Sequence, residues 1–398
     1  MFRCGYFTVF LLSLLITACA GAVTTPRDLR AAFQDLADVS AGASAESPLP
    51  HEVLDRTVRL RLRLRDYGIG SVIDGARRAS KAEDVLQLAQ QRLREAEFPL
   101  LPAGKAVGET QPKARLELFL LPGAPDWVGL KAEISLACGS DHALYFLRLQ
   151  PAAEGGFEAI LAFAKENTLE SVADLAVNFG VAGIPLDQGA SIRIATIESA
   201  GGCASLWRPV RMRVYQTDQH PYRPLRLFEK ERLAFLGEEP LPRASAPDGI
   251  FVFDYRALFW LDTGRHSRRE TVRLAQLEQG VRLLPPASEN PIEFLDEWVT
   301  TPWSEAQRWA GSSGLTTIRE WHEELAGSHE SRLQTTLVSS GECPDSREIW
   351  VHLKAGDNAE HMRSVYGLLR AQSEGYRVER FSPDLPSGCR SEAAPARP

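Results

Sequence analysis

The sequence predicts an α+β fold in two domains, each with helices packed on an antiparallel sheet. Three observations lead there. Apolar residues recur at helical spacing over 80–97 and again over 291–326. Each of these stretches is followed by short segments of alternating polarity with Gly, Pro or Asp between them, the pattern of a strand meander. The 398 residues suffice for two domains of ordinary size.

Taken in order, residues 20–50 are rich in Ala, Ser and Thr and read as a tether, with a short helix over 31–36. Val58, Leu60, Leu62 and Leu64 alternate strictly with Arg59, Arg61, Arg63 and Arg65. Period two predicts a half-buried strand, and its arginine row is read as a solvated face rather than a phosphate-binding patch. Residues 80–97 predict a helix opened by the capping box Ser80-Lys81-Ala82-Glu83, with Val85, Leu86, Ala89, Leu93 and Ala96 on one face. Strands are expected over 116–120, 130–136, 143–149, 157–163, 191–197 and 209–215, and a helix over 169–179.

Residues 237–249, polar and Pro-rich, are expected as the linker between an N-terminal domain at 51–236 and a C-terminal domain at 250–390. The second domain opens with extended segments at 250–261 and 271–284. Helices follow over 291–326, broken near 300–302 and 311–314, and then strands over 332–338, 348–354, 365–371 and 376–381. The pairs Arg115-Leu116 and Arg332-Leu333, and the runs Leu147–Gln150 and Leu369–Gln372, give the halves a faint echo, read as the generic look of amphipathic hairpins.

The first residues carry one positive charge at Arg3. An apolar run follows from Tyr6 to Ile16, broken only by Thr8 and Ser13, and ends in Ile16-Thr17-Ala18-Cys19. The run has the length of a secretory h-region and is too short to span a bilayer. Small residues before a cysteine resemble the lipobox of bacterial lipoproteins, with Ile in place of the commoner Leu at its first position. That resemblance implies removal of residues 1–18, lipidation of Cys19 and a tether over 19–50. Ala20, where Asp would retain the protein at the inner membrane, implies an outer-membrane anchor facing the periplasm.

Four cysteines remain in the mature chain. An even number in an oxidising compartment predicts two disulfides. Cys138–Cys203 and Cys343–Cys389 are the favoured pairings, since each stays within one expected domain. A net charge of −7 argues against a nucleic-acid partner.

The catalytic candidates are thin. His322-Glu323-Glu324 begins like a zinc motif, but Ala326 stands where the second histidine belongs, and Gly327 is expected to end the helix before His329. Ser140-Asp141-His142 is contiguous and set in an expected turn, so its side chains would not converge on one atom. Asp296, Glu297 and His322 remain candidates for an unrecognised hydrolase. No metal or cofactor is expected. Arg265-His266-Ser267-Arg268-Arg269 is the densest basic cluster and is expected on a hairpin loop.

Six of the eight tryptophans lie at or after Trp260. Helices bearing tryptophan before a closing meander resemble, in element order over 291–381, the NTF2-like superfamily. The resemblance implies a cavity, for which Trp298, Trp309 and Trp321 are the candidate lining. The expected function is that of a non-catalytic envelope lipoprotein binding a protein or glycan partner. A lipid or small apolar ligand in the tryptophan pocket is the alternative, and an envelope hydrolase a third reading.

Overall fold

The structure, a computed structural model, describes residues 24–40, 49–101, 112–171, 174–186, 190–201, 205–217, 220–239, 241–261, 264–288, 290–330, 336–344, 348–355, 363–373 and 375–389. Among them six α-helices and sixteen strands make an α+β fold in which sheet predominates.

Helix α1 (Pro26–Ser40) lies where a tether was expected. Thr25 and Asp28 cap it reciprocally: Asp28 N–H donates to Thr25 Oγ1 at 3.2 Å and Thr25 N–H to Asp28 Oδ2 at 2.9 Å. Leu29, Phe33, Leu36 and Ala37 are buried at helical spacing, so α1 is part of the body.

The strand expected at 57–65 is instead the second turn onward of helix α2 (His51–Arg78). Leu and Arg are both strong helix formers, and no Pro interrupts the run. Burial follows the helical period through Val53, Leu60, Leu64, Tyr67, Ser71 and Gly75, while Leu62 falls to the flank. Of the four arginines only Arg61 turns fully inward, where Nη1 contacts both Asp141 carboxylate oxygens at 2.9 and 3.1 Å.

Helix α3 (Ala82–Glu95) buries Val85, Ala89 and Leu93. The Ser80 capping box does not form, because Lys81 occupies the cap position and makes no side-chain capping bond. Gly75 lets α2 meet α3 closely; a Cβ there would sit 2.9 Å from the Val85 carbonyl oxygen.

The strands fall into successive antiparallel groups: β1 (Lys113–Leu121), β2 (Ala124–Leu136), β3 (Gly139–Pro151) and β4 (Phe157–Glu166); β5 (Ala176–Leu186), β6 (Ser191–Ala200), β7 (Trp207–Gln216) and β8 (Leu225–Phe235); β9 (Arg243–Ser245), β10 (Ile250–Leu261), β11 (Gly264–Leu277) and β12 (Gly280–Leu283); β13 (Thr336–Cys343), β14 (Glu348–Ala355), β15 (Arg363–Gln372) and β16 (Gly375–Ser382). Single register pairs join the groups: Ser140 with Ala176, Ala234 with Ala257, and Leu261 with Leu337.

Three further expectations change. The helix over 169–179 is absent: Asp174 closes a turn by accepting the Glu170 and Ser171 amides, and Ala176 onward is already β5. The stretch 237–249 is not a free linker, since β9 pairs with β10 and Asn178 Nδ2 donates to the Pro242 carbonyl. Strand β8, missed in the sequence, exposes one face, which is salt-bridged to β7 through Arg211–Glu231 and Arg213–Glu229, both 2.7 Å.

The helical breaks near 300–302 and 311–314 separate α4 (Pro291–Val299), α5 (Trp303–Ala306) and α6 (Leu315–Glu330). Asn290 caps α4 by accepting the Glu293 N–H at 2.9 Å. Gly327 does not end α6, which continues to Glu330. Phe294, Leu295, Trp298, Ile318 and Leu325 from these helices share a core with Val351, Leu353, Val365, Leu369 and Val378 of β14–β16.

Cys343 and Cys389 form a disulfide. Cys138 is also disulfide-bonded; Cys203 lies outside the described residues, as does the expected lipidation site Cys19.

The Arg61–Asp141 pair yields a stability test. Truncating one partner strands the other charge in the core, so Arg61→Met is expected to cost about 3–5 kcal/mol, whereas Arg61→Met with Asp141→Leu recovers most of it. Urea unfolding distinguishes the two; equal losses in the single and double variants would reject the pairing.

Candidate functional site

Of the side chains that suggested catalysis, Asp141, His142, Asp296, Glu297 and His322 are closed into the core. Ser140, Asp141 and His142 lie at the start of β3 rather than in a turn, and alternation along the strand separates them. Asp141 faces Arg61 on the helix side. His142 faces the other way and stacks on Phe179, ring centroids 5.0 Å apart. Burial, then Lys131 and Lys165, push the His142 imidazole down to about 3, which keeps it neutral.

His322 does structural work at the end of α4. Its Nε2 lies 2.9 Å from the Thr301 carbonyl oxygen and 3.2 Å from that of Trp298, so Nε2 carries the proton. The ring N–H thereby serves the Thr301 carbonyl just past the helix and adds to the Thr301 N–H already on the Trp298 carbonyl. Burial lowers its pKa. Trp298, fully buried, donates Nε1–H to the Ala306 carbonyl at 2.9 Å, and Phe381 lies 5.9 Å from both Trp298 and Trp321. Trp309 is also buried. Trp298 and Trp309 thus present almost no surface to a ligand.

The basic cluster 265–269 belongs to strand β11 and not to a loop. One member, Arg268, is buried and bonds Asp296 at 2.8 Å and Glu297 at 3.0 Å. Arg232 meets Glu270 at 3.1 Å, Lys230 meets it at 3.4 Å, and Tyr255 donates to it at 2.5 Å. Three cations face three carboxylates in one buried cluster joining β8, β10, β11 and α4. Burial alone would raise Glu270, but Arg232, Lys230 and Arg268 outweigh it and hold its carboxyl well below the usual range. Burial, and then the Glu270 carboxylate, push Glu297 up to about 7. Among the described residues no group of His, Cys, Asp or Glu could hold a metal ion.

An apolar concave surface lies elsewhere. A cleft of about 770 Å³ runs between the end of β1, strand β5 and the β9 segment. Phe119 and Leu121 form one wall, Val181, Gly183 and Pro185 the floor, and Ala244 to Ala246 the other wall. Its size and apolar lining are those of a binding site. Phe119 lies flat on its register partner Gly129, where a Cβ would come within 2.3 Å of the ring. Leu121 rests on Gly183, where a Cβ would come within 2.2 Å of Cδ1. Glycine at both positions sets the shape of the wall. The cross-strand pair Glu117 and Lys131 gives one end of the cleft both signs of charge.

Strand β5 presents an open backbone edge to this cleft. Ile192 of β6 bonds toward β7: its carbonyl accepts from Thr217 N–H at 3.0 Å and its N–H donates to Thr217 Oγ1 at 3.1 Å. Alternate residues of an antiparallel strand bond to opposite sides, so Arg193, Ala195 and Ile197 bond to their β5 partners Ile184, Ala182 and Gly180. The intervening residues, Phe179, Val181, Gly183 and Pro185, turn their backbone groups away from β6. Two details agree. The Phe179 carbonyl accepts from Lys131 Nζ at 3.5 Å, and Pro185, which has no N–H, sits where none is needed by the ladder. Among the described residues no strand pairs with this edge beyond Ala176.

No residue of the cleft stood out in the sequence. The available signal was Pro185 within an alternating apolar segment, which marks an edge strand.

Compared with known proteins, the chain matches no family model and no curated protein.

The ion cluster predicts a pH dependence. Glu297 titrates near 4.5 when unfolded and about 7 when folded, so between these values the folded state holds the extra proton and stability falls as pH rises. Glu297→Gln, which mimics the protonated form, should gain on the wild type from pH 5 to pH 8. The gain is about 1.4 kcal/mol for each tenfold drop in proton concentration between the two titration points. Urea unfolding at both pH values tests this, and parallel curves would reject it.

Proposed function

We propose that this chain is a non-catalytic lipoprotein of a bacterial cell envelope, anchored through Cys19 at the outer membrane and facing the periplasm, and that it works by binding a protein partner. The observation that carries this reading is the open edge of β5 within the apolar cleft. A backbone edge asks for backbone donors and acceptors in return, which a polypeptide supplies and an acyl chain does not. The same reasoning favours a protein over a glycan or a small apolar ligand. The non-catalytic reading is supported by the placement of His142, Glu270 and Glu297, three strongly perturbed side chains that are buried and do not line the cleft.

Two domains, each with helices on an antiparallel sheet, belong to the same proposal. Its support is the separate apolar clusters. One joins α1–α3 to β1–β4, and another joins α4–α6 to β14–β16, in the element order that resembles the NTF2-like superfamily.

Metabolic labelling with a clickable fatty acid, followed by membrane fractionation, tests the anchor. Wild type should carry label and sediment with outer membranes, and Cys19→Ala should be unlabelled and released by osmotic shock. Identical labelling and partition of the two would overturn the lipoprotein reading.

A further inference from the structure

We infer that the partner is captured as an added β-strand: an extended apolar segment of another protein pairs along the Val181–Gly183–Pro185 edge of β5 and places its side chains in the cleft. The inference rests on the proposed partner-binding role and names its mode.

The edge offers hydrogen-bonding groups at strand spacing. Val181 and Gly183 each direct one N–H and one C=O outward, and Pro185 adds a C=O. From Phe179 to Pro185 this edge is roughly 20 Å long at strand rise, enough for a segment of ordinary strand length. Unpaired edges are templates for another chain, and soluble proteins usually blunt them with charge or proline. Here the blunting is confined to the two ends, where Lys131 occupies the Phe179 carbonyl and Pro185 removes a donor. The middle is left to backbone groups and apolar walls.

The walls select the side chains. Residues of the added strand opposite Val181 and Gly183 would point toward Phe119 and Leu121, which favours small or branched apolar groups. The residue opposite Ala182 would point toward Ala244 and Ala246, whose small side chains leave room for a larger apolar group. The register confines the segment to the middle of β5, because Lys131 closes the Phe179 end. The partner segment is therefore extended, apolar on both faces over its central residues, and without proline at the bonding positions.

A short synthetic peptide of alternating valine and leucine, flanked by lysines for solubility, is the probe. Isothermal titration and amide hydrogen exchange are read on the whole mature protein. The peptide should bind, and the Val181 and Gly183 amides, fast in the free protein, should slow at least tenfold. The same peptide N-methylated along its bonding edge should bind at least tenfold more weakly. Val181→Pro removes an outward N–H without touching the β6 ladder and should lose binding to the same extent, whereas Val181→Ala, which keeps the amide, should stay within a few-fold of wild type. Should Val181→Pro fail to fold, the N-methylated peptide and the exchange measurement on wild type decide the matter.

No binding by wild type, equal binding of the N-methylated peptide, or displacement of both peptides alike by laurate would overturn strand addition. Amides already slow in the free protein would show that the chain covers its own edge, and would overturn it too. Crosslinking from intact cells separates this failure from that of the broader reading. A defined partner captured equally by wild type and Val181→Pro keeps the partner-binding lipoprotein and rejects this mode, whereas no captured partner rejects both.

Discussion

A charge taken out of water must meet its counter-charge inside the protein, and in this fold that requirement falls where backbone pairing is weakest. The strand groups are joined by single register pairs, Ser140 with Ala176 and Ala234 with Ala257. Near the first, Lys165 of β4 reaches Glu198 of β6. Near the second, Lys230 and Arg232 of β8 reach Glu270 of β11, and Arg268 carries the connection on to α4. Arg61 does the same between α2 and β3. A buried ion pair adds little over a hydrophobic contact of the same shape, but a misplaced one is strongly penalised. Its contribution is to exclude other alignments. Sheets that share so few ladder bonds need such a constraint to hold one arrangement.

The same physics explains what the sequence revealed and what it hid. The alternating segment 113–121 was legible because its strand buries one face and wets or half-wets the other. The Leu–Arg alternation at 58–65 misled because leucine at every second position can also populate a helix, some residues on the stripe and some on the flank. The α1 cap was legible in principle: Thr25-Pro26-Arg27-Asp28 carries a capping pattern with aspartate in place of glutamate.

Long-range pairing was the part that one-dimensional pattern could not supply. Arg268 reads as one member of a basic run, and only the fold shows that α4 brings Asp296 and Glu297 to it. Asp141 and His142 are neighbours in sequence and strangers in space, because a strand sends them to opposite faces. The cleft was hidden for a related reason. Its walls come from residues more than sixty positions apart, and its most informative feature is a row of backbone groups, which every sequence possesses and only a topology can leave unpaired.

The docking of α1 bears on how such a protein would meet its partner. With lipid on Cys19, only the residues before Pro26 separate the anchor from the folded body, a reach of about 25 Å at full extension. The body would ride close to the bilayer rather than range across the compartment. Encounter then becomes a search in two dimensions, in which a weak strand pairing gains from high local concentration. Partners held in or against the same membrane would be favoured over freely diffusing ones, a selectivity set by leash length rather than by contact chemistry.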